Sequence, residues 1–329
     1  MLFVDNEHHT DPRMNLAIEE HLLRHFEGDD EILLFYINEP SIIIGRNQNT
    51  LEEINEAYVR EHNIHVVRRL SGGGAVYHDL GNLNFSFITP YKKGTPQDFE
   101  HFTRPVIRVL REMGVEAELS GRNDILVQGR KISGNAQYRT ADRMFSHGTL
   151  LFDTNLRDVV ESLNVSQSKI TSKGLKSVRS RVANISEFLD EPMTTQEFRA
   201  RLLRGIFRDA DEIPQYRLTE EDWAQIRRIK AERYDTWEWN YGRSPEFNVQ
   251  HSKRFPSGEV DVRINVQQGF IQDVKIYGDF LGDGDVSDIE KRLLGVRYDR
   301  DALAQALEGL DTCTYLGGVE GEAFLDLIY

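Results

Sequence analysis

Apolar residues recur at Met14, Ile18, Leu22 and Phe26, the spacing of one helical face. They follow Asp11-Pro12, an N-cap and a first-turn proline. The pattern predicts a helix here, ended by Gly28. Ile32 to Ile37 reads as a strand, Pro40 breaks it, and Ser41-Ile42-Ile43-Ile44-Gly45 reads as a second, buried strand. Residues 51–62 look helical. His65 to Leu70 reads as a short strand, and Ala75 to Tyr77 and Asn84 to Ile88 are strand-like on either side of a turn at Gly81-Asn82. Pro96 to Met113 reads as a helix closed by Gly114. A block dense in short strands runs from Val115 to Phe152. Within it, Asp124 to Val127 and Arg130 to Ile132 flank Gln128-Gly129 as a hairpin, and Met144 to Phe152 forms a further strand. Asn155 to Leu163, Thr194 to Ala210 and Thr219 to Tyr234 read as helices, with a long polar, basic loop over residues 166–184.

The composition shifts after Trp237-Glu238-Trp239-Asn240-Tyr241-Gly242. Val249 to Lys253, Glu259 to Val266 and Phe270 to Tyr277 alternate like antiparallel strands, and Asp285 to Leu294 and Asp299 to Leu307 read as helices. Strands first and helices after make a small α+β unit. The boundary is placed near Gly242, giving segments 1–242 and 243–329 of an α/β (α+β) chain. Its 329 residues suit two domains.

Composition narrows the function classes. Met1 to Thr10 is polar and acidic and carries no signal-peptide core. Cys313 is the one cysteine, so no intramolecular disulfide forms. The chain reads as cytoplasmic. No apolar run approaches the ~20 residues of a membrane helix. A net charge of −14 argues against general nucleic-acid binding. The charge is uneven, however. Residues 169–181 hold five basic and no acidic residues, residues 121–147 five basic against two acidic, and residues 246–329 eight basic against sixteen acidic. Basic segments in an acidic chain suggest a local anion site; solvated surface charge is the alternative.

Candidate chemistry centres on Arg68-Arg69-Leu70-Ser71-Gly72-Gly73-Gly74-Ala75-Val76-Tyr77-His78-Asp79. Glycines let backbone N–H groups approach a ligand and form an anion-binding nest, and flanking arginines add charge-assisted bonds. Taken alone, the triple glycine favours a flexible turn between two strands over a ligand site. There is no P-loop, no Gly-x-Gly-x-x-Gly between strand and helix, no zinc-spaced Cys/His cluster and no EF-hand loop. Three further stretches put polar groups at strand ends: Gly121-Arg122-Asn123-Asp124-Ile125, Gly129-Arg130-Lys131-Ile132-Ser133-Gly134-Asn135-Ala136 and Ser146-His147-Gly148-Thr149-Leu150-Leu151.

These stretches, taken in order with Ser177-Val178-Arg179-Ser180-Arg181-Val182 and Gly278-Asp279-Phe280, resemble the signature of the lipoate–protein ligase family over most of the chain. The resemblance implies a catalytic domain with the fold of biotin and lipoate ligases, a mixed or antiparallel sheet packed by helices, and a small accessory domain after it. It implies a two-step reaction. Lipoate and ATP give lipoyl-adenylate and pyrophosphate, and the ε-amine of an acceptor lysine then displaces AMP. Magnesium is implied with ATP. The implied acceptors are lipoyl domains of 2-oxoacid dehydrogenase complexes or the glycine-cleavage H protein; nucleic acid and membrane are not expected partners.

Carried over residue by residue, Lys131 matches the central lysine, which contacts both carboxylate and α-phosphate. Arg69, Gly74, Ala75, Val76, Tyr77, Asn123 and Asp124 match nucleotide or adenylate positions, with Asp124 a magnesium candidate. Gly73, Tyr36 and His147 fall near the lipoyl group. A core tyrosine at 36 and a structural histidine at 147 remain alternatives. Lys173 and Arg179, in the basic loop, are candidates for a lid over phosphate; a surface loop is the alternative. An amidotransferase of the same fold would need a cysteine thiolate, and none lies in the catalytic motifs. A biotin ligase would need a different glycine-rich motif. A regulator that only binds the adenylate would not need the set Arg69, Asp124 and Lys131.

Overall fold

The computed structural model describes residues 1–92, 98–163, 181–208, 210–241 and 247–329. The chain folds into two compact units. One comprises residues 1–43, 51–67 and 76–240, the other 44–50, 68–75 and 241–329. The glycine stretch therefore folds with the C-terminal residues, although it lies early in the sequence.

The first unit is built on an eight-stranded mixed sheet. In chain order the strands of the protein are β1 (Leu2–Asp5), β2 (Ile32–Ile37), β3 (Ser41–Ile44), β4 (His65–Arg68), β5 (Val76–His78), β6 (Asn82–Pro90), β7 (Ala117–Ser120), β8 (Asp124–Val127), β9 (Arg130–Arg139), β10 (Arg143–Leu151), β11 (Gln215–Tyr216), β12 (Val249–Phe255), β13 (Gly258–Gln267) and β14 (Phe270–Gly278). The large sheet has the order β11-β1-β2-β6-β10-β9-β8-β7. β1 runs parallel to β2 and β11, and the pairs from β2 to β7 are antiparallel. A small sheet, β4-β3-β5, carries Ile42 opposite Tyr77.

Strand side chains alternate between faces. One face presents Leu33, Phe35, Ile37, Leu83, Phe85, Phe87, Met144 and Leu150 to a core closed by helices Phe99–Glu112 and Thr195–Ile206. The other face lies under helix Pro12–His25, whose Asp11 cap accepts from the Arg13 N–H. That helix buries three consecutive ionisable residues. Glu19 pairs with His147 on β10, Glu20 with Arg24 (2.7 Å) and Arg233 (3.1 Å), and His21 with Asp222 (2.9 Å). The Glu20–Arg24 pair lies within the helix, whereas those to His147, Arg233 and Asp222 tie one turn of it to other elements.

Some expectations change. The acidic N-terminus contains a buried strand, β1, whose four residues are too few to show a period against the charged residues that follow. The helix expected over 51–62 is two, Thr50–Glu53 and Glu56–Glu61, interrupted where Ile54 bridges to Leu163. The helix expected over 219–234 ends as a π-turn, Lys230–Tyr234.

The second unit has the antiparallel sheet β12-β13-β14 and helices Ser287–Leu293, Arg300–Leu307, Thr312–Leu316 and Gly321–Ile328. The last two have no counterpart among the expected elements. Its core joins Val260, Val262, Ile264, Ile276, Ile289, Leu303 and Phe324.

Two outcomes are expected. Gly148 is packed so closely that a Cβ would strike Asn135 Oδ1 and press on the Phe85 ring 2.6 Å away. Gly148→Ala should lower the unfolding free energy by about 1–3 kcal/mol, read as a lower urea midpoint at constant m-value. Burial lowers the His21 pKa below 6.5 despite Asp222, so the unfolded chain binds more protons below that value. Burial pulls Asp222 the other way, but its bonds from Thr219, Tyr216 and His21 outweigh it and hold the carboxyl low. Stability should therefore fall as pH drops below ~6.5 and again through the carboxylate range. His21→Gln should flatten the first of these two steps in denaturation curves.

Candidate functional site

In the first unit the register of five strands sets out the site. Tyr36 on β2 pairs with Asn84 on β6, and Asn84 with Thr149 on β10. Thr149 Oγ1 accepts from the Gly134 N–H on β9 (3.2 Å), and Gly134 pairs with Asp124 on β8. Directly paired residues share a sheet face. Tyr36, Asn84, Thr149, Gly134 and Asp124 thus form one row across the sheet.

At its end Lys131 Nζ lies 2.7 Å from Asp124 Oδ1. A bulge between Ile125 and Leu126 shifts the register and brings Lys131 to this face. Its side chain then runs over Gly134, where an added Cβ would sit 3.0 Å from Nζ. The strand is held from outside by Lys131 N–H donating to Arg181 O (2.7 Å) and Ala183 N–H donating to Lys131 O (3.0 Å). Lys131 and Asp124 are 37% and 36% exposed at their side chains. Water screens such a pair to about 0–1 kcal/mol, so an incoming anion can draw the ammonium away from Asp124.

One row over, Leu34, Ser86, His147 and Ala136 are paired in turn. His147 is buried, and its Nδ1 lies 3.0 and 3.1 Å from the two Glu19 carboxylate oxygens. Glu19 belongs to no sequence motif, and its partner lies 128 residues away, so nothing local marks it. Asn123 is turned to the backbone, with Nδ2 donating to Asn135 O (2.6 Å) and its own carbonyl accepting from Asn135 N–H (3.0 Å). It shapes the turn before Asp124. Tyr36 is buried on β2, and its carbonyl accepts from Asn84 Nδ2 (3.2 Å). The Tyr77 hydroxyl donates to Asp158 (3.2 Å), and burial with that carboxylate nearby raises its pKa. Its side chain is thereby committed to the fold. Val76 precedes it at the start of β5.

In the second unit the glycine stretch is a tightly braced loop. Arg69 donates to Ser71 Oγ (3.0 Å), Gly72 O (2.6 Å) and Gly74 O (2.8 Å), so its guanidinium is folded onto its own loop. Gly73 has φ +88°, the left-handed region. A Cβ at Gly72 would approach Phe280 O, and one at Gly45 would collide with Gly73 O. Ala75 ends the segment. Arg68, expected with Arg69 to add charge-assisted bonds to an anion, instead anchors the neighbouring loop. It donates to Gly45 O (2.9 Å), Arg46 O (3.0 Å), Gln48 O (2.7 Å) and Thr50 Oγ1 (2.6 Å), and burial among these neutral acceptors pulls its pKa down to about 10.

Residues 11–207 match the lipoyl protein ligase A/B catalytic domain, and residues 244–328 the bacterial lipoate protein ligase C-terminus. The chain belongs to the lipoate–protein ligase family. It is 60% identical to lipoate-protein ligase LplJ of Bacillus subtilis over the full length of both, and 48% identical to lipoate–protein ligase 1 of Staphylococcus aureus, again over both full lengths. The fold is similar to that of P. falciparum LipL1 in complex with lipoate, with a TM-score of 0.80 at 25% identity over 99% of this chain and 97% of that one. A bi-partite ligase of Thermoplasma acidophilum, studied with its E2 lipoyl domain, gives 0.63 at 32% identity over 75% and 98%.

Among the ligase's described residues, no group of three His, Cys, Asp or Glu side chains is placed to hold a metal, and no helix is long and apolar enough to cross a membrane. Lys173 and Arg179 lie outside the described residues. Cys313 sits in helix Thr312–Leu316, where burial, with Asp311 and Glu320 nearby, pushes its thiol up. A nucleophilic thiolate needs the opposite shift.

Arg68→Lys keeps the charge but replaces a planar fork holding four acceptors with three donors on one nitrogen. It should cost about 2 kcal/mol in urea denaturation.

Proposed function

We propose that the chain activates lipoate with ATP and transfers the lipoyl group to a lysine of an acceptor domain. The observation that carries this reading is the Lys131–Asp124 pair at the end of the Tyr36-to-Asp124 row. In activation a lipoate carboxylate oxygen attacks the α-phosphorus and pyrophosphate leaves. Two anions must meet, and the electrostatic cost is lowered by a fixed cation between them. Lys131 supplies it: the ammonium leaves Asp124, bonds the carboxylate and then follows charge onto the α-phosphate. In transfer the acceptor amine attacks the acyl carbon, AMP departs as the leaving group, and the amine proton passes to solvent or phosphate.

The donor set for magnesium is sparse. Asp124 offers one carboxylate, already paired with Lys131. That fits an ion that arrives on the ATP phosphates and completes its shell with water, the usual habit of Mg²⁺. Arg69, Gly73, Gly74 and the 75–77 segment retain the nucleotide and lipoyl roles the family pattern gives them, as backbone and bracing more than as free side chains. The acceptor is a lipoyl domain, of a 2-oxoacid dehydrogenase complex or the glycine-cleavage H protein.

Lys131→Ala should lower lipoate-dependent pyrophosphate release about 10²–10³-fold, with the melting temperature nearly unchanged because the lost pair is half-exposed. Equal release by both proteins would remove Lys131 from the mechanism. Cys313→Ser should leave ATP-dependent lipoylation of an acceptor domain intact, read as the lipoyl mass increment on the acceptor. Lipoylation that needs no ATP and is lost in that variant would replace the ligase reading with amidotransfer.

A further inference from the structure

A strongly basic surface lies on the side of the sheet away from Lys131. Helices Phe99–Glu112 and Thr195–Ile206 close the core on the sheet face opposite Tyr36, Asn84 and Thr149. Residues 99–112 and 195–208 hold seven arginines against Glu100, Glu112 and Glu197, in a chain of net charge −14. Arg104, Arg108 and Arg111 recur at i, i+4 and i+7, and Arg201 and Arg204 at i, i+3, so each helix carries an arginine stripe. The stripes meet where the helices touch. An added Cβ at Gly205 would sit 2.6 Å from the Val109 side chain, and Arg108 Nη2 donates across to Gly205 O (2.9 Å). Arg204 adjoins that glycine in sequence.

Like charges one helical turn apart destabilise a helix. Little here offsets them. Glu112 pairs with Arg208 (3.2 Å) and Arg108 (3.8 Å). Arg104, Arg201 and Arg204 are exposed and have no hydrogen bond or ion pair among the described residues. Beside Arg204 the surface opens into a cavity of about 660 Å³ whose lining includes Arg204, Phe207, Arg208, Asp211, Glu212 and Ile213. Phe207 and Ile213 pack on the core and give the cavity its apolar part.

A ligand for this surface is anionic, and the groups around the arginines decide its kind. A nucleic acid or an anionic membrane carries dense, evenly spread charge. Either would meet Asp211 and Glu212 next to Arg204, and the negative charge of the whole chain. A protein segment can set carboxylates against the arginines alone and put an apolar residue in the cavity. Carboxylates one turn apart on a helix repeat every about 5–6 Å, the repeat of the stripes.

We propose that the contact of the two helices docks an acidic protein helix, its carboxylates along the arginine stripes and one apolar side chain in the cavity. The partner leaves the Lys131 row, on the far side of the sheet, uncovered. It can hold the protein in a larger assembly without blocking that row, whatever reaction Lys131 serves.

The probe is a fluorescein-labelled, alanine-based helical peptide with one glutamate per turn on one face and a leucine between them, titrated with the full chain and followed by anisotropy. The wild type should bind it, less tightly as salt rises. The combined variant Arg104→Gln, Arg201→Gln, Arg204→Gln should bind about tenfold more weakly, the sum of three exposed ion pairs. Replacing the peptide's leucine by alanine should weaken binding to the wild type as well. The three arginines are exposed and unpaired, so the variant should keep the wild-type melting temperature and the wild-type rate of lipoate-dependent pyrophosphate release. Equal binding by the variant, no saturable binding by the wild type, or tighter binding of a single-stranded oligonucleotide or of phosphatidylglycerol vesicles than of the peptide overturns the docking surface. Loss of pyrophosphate release in the variant overturns its separation from the Lys131 row.

Discussion

Everything in the candidate site depends on strand register. A slip of one residue between β6 and β10 would turn Thr149 and His147 to the other face and set Leu150 or Gly148 opposite Asn84, and Gly148 or Ser146 opposite Ser86. The register is held by the opposite face. Phe85, Phe87, Met144 and Leu150 interlock with two helices there and cannot be moved outward without exposing the core. The apolar layer thus aligns a polar layer it never touches. The one deliberate break, the bulge at Ile125/Leu126, is where Lys131 changes face and reaches Asp124.

The electrostatics divide between the two units in a way their residue types alone do not suggest. Among the described residues three basic candidates for handling phosphate or carboxylate stand out, and the structure uses them differently. Arg68 is buried against four neutral acceptors and acts as a structural clamp. Arg69 binds the carbonyls of its own glycine loop, fixing a backbone that glycine would otherwise leave mobile. Lys131, by contrast, is held by a partner weak enough to be exchanged, a half-exposed carboxylate. A cation that must transfer its contact during a reaction is better placed on such a pair than in a cage of short bonds.

Much of the first unit was legible from period and punctuation. The strand Ile32–Ile37, the strand Asp124–Val127 and the turn at Gln128-Gly129 match their expected bounds, because an uninterrupted apolar run and a turn dipeptide are strong local signals; the second hairpin strand, expected to stop at Ile132, runs on to Arg139. Lys131 and Asp124 were legible through ordered motifs, and the hairpin made their nearness natural. What was not legible lay in long-range partners. Glu19 sits in an ordinary amphipathic helix pattern, and only the fold brings it to His147. β1 was hidden by its brevity. The clustering of residues 44–50 and 68–75 with the C-terminal unit has no trace in local composition, since it arises from close glycine approaches such as Gly72 to Phe280.

The strand β6 shows how misleading a polar–apolar alternation can be. Asn82-Leu83-Asn84-Phe85-Ser86-Phe87 alternates polar and apolar residues, which for an antiparallel strand ordinarily means one face in the core and one in water. Yet all six residues are buried. A face hidden from solvent would be more stable if it were apolar, since each amide and hydroxyl there must find a partner or remain a cost. Here Asn84 is satisfied, while Asn82 Oδ1 and Ser86 Oγ find no partner among the described residues. A chain selected for stability alone would have replaced them with valine or alanine. Their cost is carried by the rest of the strand, and the alternation that looks like a solvent pattern in the sequence marks a polar face buried inside the fold.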